Sequence, residues 1–227
     1  ILGDVLDLGV PSDATVTTAK LASTSVTAAK LNNDIISGST ELASEPADTD
    51  EFLVSDAGTL KRIDYSLIKG GGITMADQWR QLGGSVSAGD TFITSNWERT
   101  DTDSYGTIGS AMSESSGVFT FPSTGIYYLQ YVLQGKNTNT GSAQYMDGKL
   151  FVTTDNSSYN IAAAGMGSGA NGGTAFDFNA VATFIFDVTD TSTHKIKMGY
   201  DFQRSGSIYG SSGATYTSIT VIRLGDT

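Results

Sequence analysis

Residues 126–133 read Ile-Tyr-Tyr-Leu-Gln-Tyr-Val-Leu, and how this run is read decides the fold. Apolar and aromatic side chains fall on both parities, so a β-strand here is greasy on each face. The segment Val181-Ala182-Thr183-Phe184-Ile185-Phe186 is largely so as well. In Lys195–Phe202, by contrast, Ile196, Met198, Tyr200 and Phe202 alternate with Lys195, Lys197 and Asp201, which predicts one wet face. A two-layer sandwich gives a strand only one dry face. The second apolar face therefore needs a cover, and identical copies closing around a shared axis are the economical one. The expectation is a homotrimer whose interface is made by Tyr127, Leu129, Tyr131, Phe184, Phe186 and Tyr216.

Further strand signals lie on either side, separated by turns. They fall near Trp79–Leu82, Thr91–Trp97, Val118–Phe121, Lys149–Thr154, Tyr159–Ala164 and Tyr216–Leu224. With the three segments above, they make eight or nine antiparallel strands between Ile73 and the end of the chain. Such a set fits an all-β fold, an antiparallel jelly-roll sandwich.

The run Val118-Phe119-Thr120-Phe121-Pro122-Ser123-Thr124-Gly125-Ile126-Tyr127-Tyr128-Leu129 resembles the F-x-x-P-x-x-G-x-Y-x-F signature of the trimeric heads of the complement globular-head and tumour-necrosis-factor families. Trp79 and the ending Ser218–Leu224 match the first and last strands of that pattern. The resemblance spans about residues 76–225 and implies a jelly roll with both termini at one end, the base. It transfers no calcium ligands. On that topology the base loops are short: Pro122–Thr124, Asp155–Ser158 and Thr189–His194. The far-end loops are long: Gly135–Gly148, Gly165–Asn179 and Gln203–Thr215. Loops beyond about a dozen residues usually carry function or are disordered. Tyr gives rigid amphipathic contact and Ser, Gly and Asn adapt their hydrogen bonds. The expected receptor-binding residues are Tyr145, Met146, Met166, Asn171, Phe176, Ile208 and Tyr209, with surface polysaccharide as the expected target.

The region before residue 73 differs in character. Val16-Thr17-Thr18-Ala19-Lys20-Leu21 returns ten residues later as Val26-Thr27-Ala28-Ala29-Lys30-Leu31. Each copy makes about one helical turn, too short to stand alone in water. Such units persist when stacked on neighbours or on copies in other chains. Phe52-Leu53-Val54 and Leu60-Lys61-Arg62-Ile63 predict a hairpin around Asp56-Ala57-Gly58; Tyr65–Lys69 predicts a helical turn, and Gly70-Gly71-Gly72 a hinge. A lone hairpin is marginal in water, so this block is expected to dock on other chains. The two blocks resemble the repeats and small hairpin modules of bacteriophage tail fibres, which implies a homotrimeric fibre protein. The expected organisation is a stalk over 1–40, a hairpin module with its hinge over 41–72, and the jelly-roll head over 73–227. Ile1 in place of an initiator Met suggests the C-terminal part of a longer polypeptide.

Charge narrows the classes of partner. Residues 1–69 carry eleven acids and five bases, and the rest thirteen acids and eight bases, giving −6 and −5. Both halves repel a phosphate backbone, so neither nucleic acid nor an anionic membrane surface is an expected partner. The chain has no cysteine, which removes disulfides and thiolate metal sites. No apolar run approaches the length of a membrane-spanning helix.

No catalytic constellation stands out. His194, the single histidine, opens a strand beside Lys195 and is expected to be solvated. Gly165-Met166-Gly167-Ser168-Gly169 lacks a nucleophile elbow. Asp101 and Asp103, with Glu98 or Asp90 nearby, read as solvated carboxylates rather than a calcium site. The expectation is therefore a non-enzymatic virion protein of the tail fibre, with no metal or cofactor. Its head binds a host-surface receptor, and its N-terminal side meets other virion proteins. The alternative is a structural virion protein (a head fibre, decoration or connector) whose jelly roll docks on another virion protein.

Overall fold

The computed structural model describes residues 16–17, 19, 21–22, 25–26, 30, 37–68, 72–137, 144–169 and 176–227. Most of the ten-residue repeats, Gly70, Gly71 and Asn171 lie outside these residues. The chain divides into two compact units, Ile1–Lys69 and Gly70–Thr227.

In the first unit, β1 (Glu51–Asp56) and β2 (Thr59–Asp64) pair as an antiparallel hairpin. Ala57 and Gly58 both take positive φ, 48° and 84°, as a two-residue turn matched to strand twist requires. The short helix α1 (Tyr65–Ile68) follows directly. None of residues 37–68 is buried; Leu53, Leu60 and Leu67 are each at least 70% exposed.

The second unit is a sandwich of two antiparallel sheets. Its principal strands are β3 (Ala76–Gln81), β8 (Val118–Thr120), β9 (Gly125–Asn137), β10 (Gln144–Thr153), β11 (Asn160–Gly169), β12 (Phe176–Val188), β13 (Lys195–Phe202) and β15 (Ser218–Gly225). One sheet runs β12-β9-β15-β3, and the other β11-β10-β13-β8. Successive strands change sheet at every step except the β10–β11 hairpin, which is the jelly-roll connectivity. Shorter strands extend both sheets. In the first, β4 (Gly84–Val86) and β14 (Gly206–Ile208) prolong the β9 edge, and β6 (Trp97–Arg99) flanks β3. In the second, β5 (Gly89–Phe92) pairs with β13, and β7 (Ser113–Ser115) with β8.

Both strand patterns set the layers. On β13, Ile196, Met198, Tyr200 and Phe202 point into the core while Lys195, Lys197 and Asp201 face out. On β9 the inward set is Tyr127, Leu129, Tyr131 and Leu133, each fully buried. Phe119 anchors the base of the core, edge-on to both Trp79 and Trp97.

Two buried ion-pair networks tie the segment after β6 to β3. Arg80, wholly buried, reaches Glu98 at 3.4 Å and Asp101 at 2.6 Å. Asp77 accepts hydrogen bonds from the Met112 amide, Trp79 Nε1 and the Tyr105 hydroxyl, and pairs with Arg99. Burial first, then the hydrogen bond to Asp77, pushes Tyr105 up to about 12. Asp101 is thus committed to a cation inside the fold rather than held free for an ion.

The edge strands of the two sheets meet where β11 passes β12. A Cβ on Gly165 would sit 2.2 Å from the Val181 carbonyl oxygen, so only glycine permits this approach.

Candidate functional site

Five of the six predicted interface residues lie on the inner face of their strands. Tyr127, Leu129 and Tyr131 have no exposed area, and Phe186 is 6% exposed. Phe184 is half-buried and packs on Phe186 from the same side. These five residues belong to the chain's own core and not to a contact between copies. The correction has a simple cause. Strand period is two, both parities of β9 are apolar, and only the arrangement of the second sheet decides which set it covers. The bulkier aromatic set fills the space between the sheets, and the Tyr127 hydroxyl donates to the Ser123 carbonyl at 2.8 Å. Of the six, only Tyr216 is exposed, in the loop just before β15.

In the middle of the sheet the outward set is Tyr128, Gln130 and Val132 on β9, with Val181, Thr183 and Ile185 on β12 and Thr220 and Ile222 on β15, while Lys136, Asp177 and Asp187 face out at the strand ends. Register places them in rows: Ile185, Tyr128 and Ile222; Thr183, Gln130 and Thr220; Val181 and Val132. Ile185 is 59% exposed and Val181 44%. None of these eight side chains carries a charge. Gln78 Nε2 donates to Thr220 Oγ1 and Gln130 Nε2 to the Tyr128 hydroxyl, so the polar members pair within the face.

The far end differs from the loops expected there. β9, β10, β11 and β12 run on well past the expected strand ends, because glycine fits where neighbouring strands come close; a Cβ on Gly135 would lie 2.5 Å from the Ser207 carbonyl oxygen. Tyr145, Met146 and Met166 are consequently strand residues, with Met146 opposite Phe202. Met146 and Ile208 are buried in the core and Phe176 packs against it, so Met146 and Ile208 are not available to a partner. Met166 is 71% exposed on β11, an edge strand.

Tyr209 and Tyr216 come together, ring centroids 6.4 Å apart, and Gly210 completes an open recess between them. The Tyr209 hydroxyl donates to the Asp177 carboxylate, which raises its ionisation above the ordinary tyrosine value. Asp177 escaped the sequence reading because it is far from Tyr209 in the chain; β12 and β14 bring them together on opposite edges of β9.

His194 is buried rather than solvated, its ring stacked beside Phe186 and within hydrogen-bonding distance of Thr189 and Thr193 hydroxyls. Among the described residues, no three His, Asp or Glu side chains are placed to hold a metal ion. No helix among them is long and apolar enough to cross a membrane.

No protein-family model matches the chain, and no curated protein matches it. Among solved structures it is similar to murine APRIL in a crystal structure at pH 5.0, with TM-score 0.46 and 12% identity over 66% of this chain and 98% of that one. It is also similar to an Eiger TNF from S. frugiperda, with TM-score 0.46 and 13% identity over 69% of this chain and 96% of that one.

Proposed function

We propose that this chain is a homotrimeric fibre protein of a bacteriophage virion, and that its jelly-roll head attaches the particle to a host-surface receptor without chemical turnover. The observation that carries the reading is the uncharged centre of the outward face of β9, β12 and β15, whose charges, Lys136, Asp177 and Asp187, stand at the strand ends. A protein of net charge −11 that leaves Ile185 and Val181 exposed in the charge-free middle of a sheet face presents a surface suited to a copy of itself. The exposed leucines of the β1–β2 hairpin favour the same state, since a two-stranded unit with no buried side chain needs a cover.

Trimer formation around this face sets three far ends side by side. Each offers Tyr209 and Tyr216 with the Asp177 carboxylate beside them. Aromatic faces take the apolar side of a sugar ring while a carboxylate accepts its hydroxyls, so a surface polysaccharide is the proposed receptor. Three weak contacts on one rigid head gain avidity.

Two measurements test the reading. Sedimentation equilibrium of the full chain at micromolar concentration is expected to give three times the monomer mass; a stable folded monomer would reject the trimer. Purified chain is expected to block adsorption of the particle to host cells, and Tyr209→Ala/Tyr216→Ala to lose that block. Adsorption indifferent to excess wild-type chain rejects attachment.

A further inference from the structure

The opposite face of the sandwich carries a second surface with its own chemistry. Register brings β10, β13 and β5 side by side, and their outward residues form a strip. Nearer the base, Phe151 lies over Gly199, where any Cβ would come within 2.9 Å of its ring. Phe92 stands edge-on to Phe151 at 4.8 Å and faces Tyr159 at 6.2 Å. Phe92 is 36% exposed, and Ile161, opposite Phe151 on β11, 52%. Lys197 places its ammonium 4.0 Å from the centre of the Tyr159 ring and 4.8 Å from that of Phe92, holding the two rings apart.

Toward the far end the same strip turns polar. Lys149 joins Asp90 at 2.7 Å and Asp201 at 3.2 Å. Asp147 sits directly across from Asp201, and its Oδ1 is buried without a hydrogen-bond partner among the described residues; so is Oε1 of Gln203, just after β13. Burial, then the Asp201 charge, raises the Asp147 carboxyl above its ordinary value. Buried acceptors with no donor are costly, and a ligand whose hydroxyl groups reach them as the covering side chains shift relieves both.

We propose that this strip is a saccharide-binding site, separate from the far-end tyrosines. Phe92 stacks on the apolar face of one ring with Tyr159 flanking it, and Asp147 and Gln203 accept hydroxyls from the next. From Asp147 to Phe151 the strip runs about 13 Å at ~3.3 Å per residue, room for roughly two or three rings in line. A nucleic acid or anionic lipid is disfavoured by three carboxylates against two ammonium groups along the strip. The site draws on the attachment reading only for where its natural glycan would be found.

Saturation-transfer NMR of the full chain tests it, using hexasaccharides of α-linked glucose, β-linked glucose, mannose and N-acetylglucosamine as probes. At least one is expected to bind, with affinity reduced about tenfold or more in Phe92→Ala/Tyr159→Ala, as for loss of an aromatic anchor. Binding is expected to persist in Tyr209→Ala/Tyr216→Ala. Tyr159→Ala alone serves if the double variant does not fold, with a smaller loss in the same direction. Silence from all four probes, or a loss confined to the Tyr209/Tyr216 variant, overturns the proposal. Adsorption still blocked by the chain in that event leaves the attachment reading standing, so the two fail separately.

Discussion

The two outward faces of the sandwich are built by the same strand geometry and carry opposite chemistry. Over the middle of β9 and β12 the outward residues are Tyr128, Gln130, Val132, Val181, Thr183 and Ile185, with no charge among them; Lys136, Asp177 and Asp187 lie at the strand ends. Over β10 and β13 they include Asp147, Lys149, Lys195, Lys197 and Asp201, interrupted by Phe151. The inner faces of these four strands are alike, all apolar or glycine but for Asn137 and the half-buried Phe176 and Phe184 positions at their margins. Folding of the single chain accounts for the inner faces. Only something outside the chain accounts for the difference between the outer ones, since a water-facing sheet ordinarily alternates apolar with polar. A face with a charge-free centre is suited to a copy of itself, and a charged aromatic face to solvent or a hydroxyl-rich ligand.

The largest expected effect separates assembly from folding. Ile185→Asp adds a carboxylate to each copy of the proposed contact, where burying three like charges abolishes association. The head itself is expected to stay folded, because Ile185 is 59% exposed in the single chain. Sedimentation of this variant as a folded monomer is the expected outcome; an unchanged trimer moves the contact elsewhere. Leu129→Ala probes the neighbouring parity. Leu129 is fully buried, so its truncation is expected to cost about 2–5 kcal/mol of unfolding free energy. Denaturant titration measures it, and a loss near zero would mean that the inward and outward sets are interchanged.

Gly165→Ala tests the seam between the faces. The new methyl would meet the Val181 backbone on all sides, with its carbonyl oxygen at 2.2 Å, and must push β11 from β12. The expected cost is about 1–3 kcal/mol, typical of forcing atoms into packed space. Equal stability of wild type and variant would show that the two edges do not close on one another.

Much of this fold was legible in the sequence. Strand β13 begins and ends at the expected residues because its charges mark one face unambiguously. The Phe119-to-Tyr127 run delivered the turn between β8 and β9, and Asp56-Ala57-Gly58 the hairpin. The parity of β9 was not legible: Tyr127 and Tyr128 are chemically identical, and burial of the first depends on a sheet assembled from residues 118–202. The far-end strand extensions were hidden because Gly135, Gly148, Gly165 and Gly167 read as loop residues, while their structural reason is close approach of neighbouring strands or, at Gly148, of side chains from the facing sheet. Of the candidate contact residues, Tyr209 and Tyr216 emerged as neighbours, whereas Asp177 and the Phe92–Tyr159 pair became visible only through long-range pairing.

The smallest predicted effect lies at the base, away from both faces. Asp155 accepts hydrogen bonds from the amides of Ser157 and Ser158 and from the Thr153 hydroxyl, all donors to its charged form. Those bonds, the Ser158 amide foremost, hold its carboxyl well below the ordinary carboxylate range. Asp190 is lowered likewise by the hydroxyl and amide of Ser192. A depressed folded-state value means that the stabilisation is complete above the unfolded carboxylate value, about 3.9. It is then lost as pH falls toward the folded value. Asp155→Asn is therefore expected to lower Tm slightly at neutral pH, with the gap to wild type closing as the solution is taken toward pH 2. Both turns lie outside the two contrasted faces, so neither oligomer mass nor saccharide binding should move with this variant. A gap that widened in acid would reverse the sign and reject the carboxylate as the turn's acceptor.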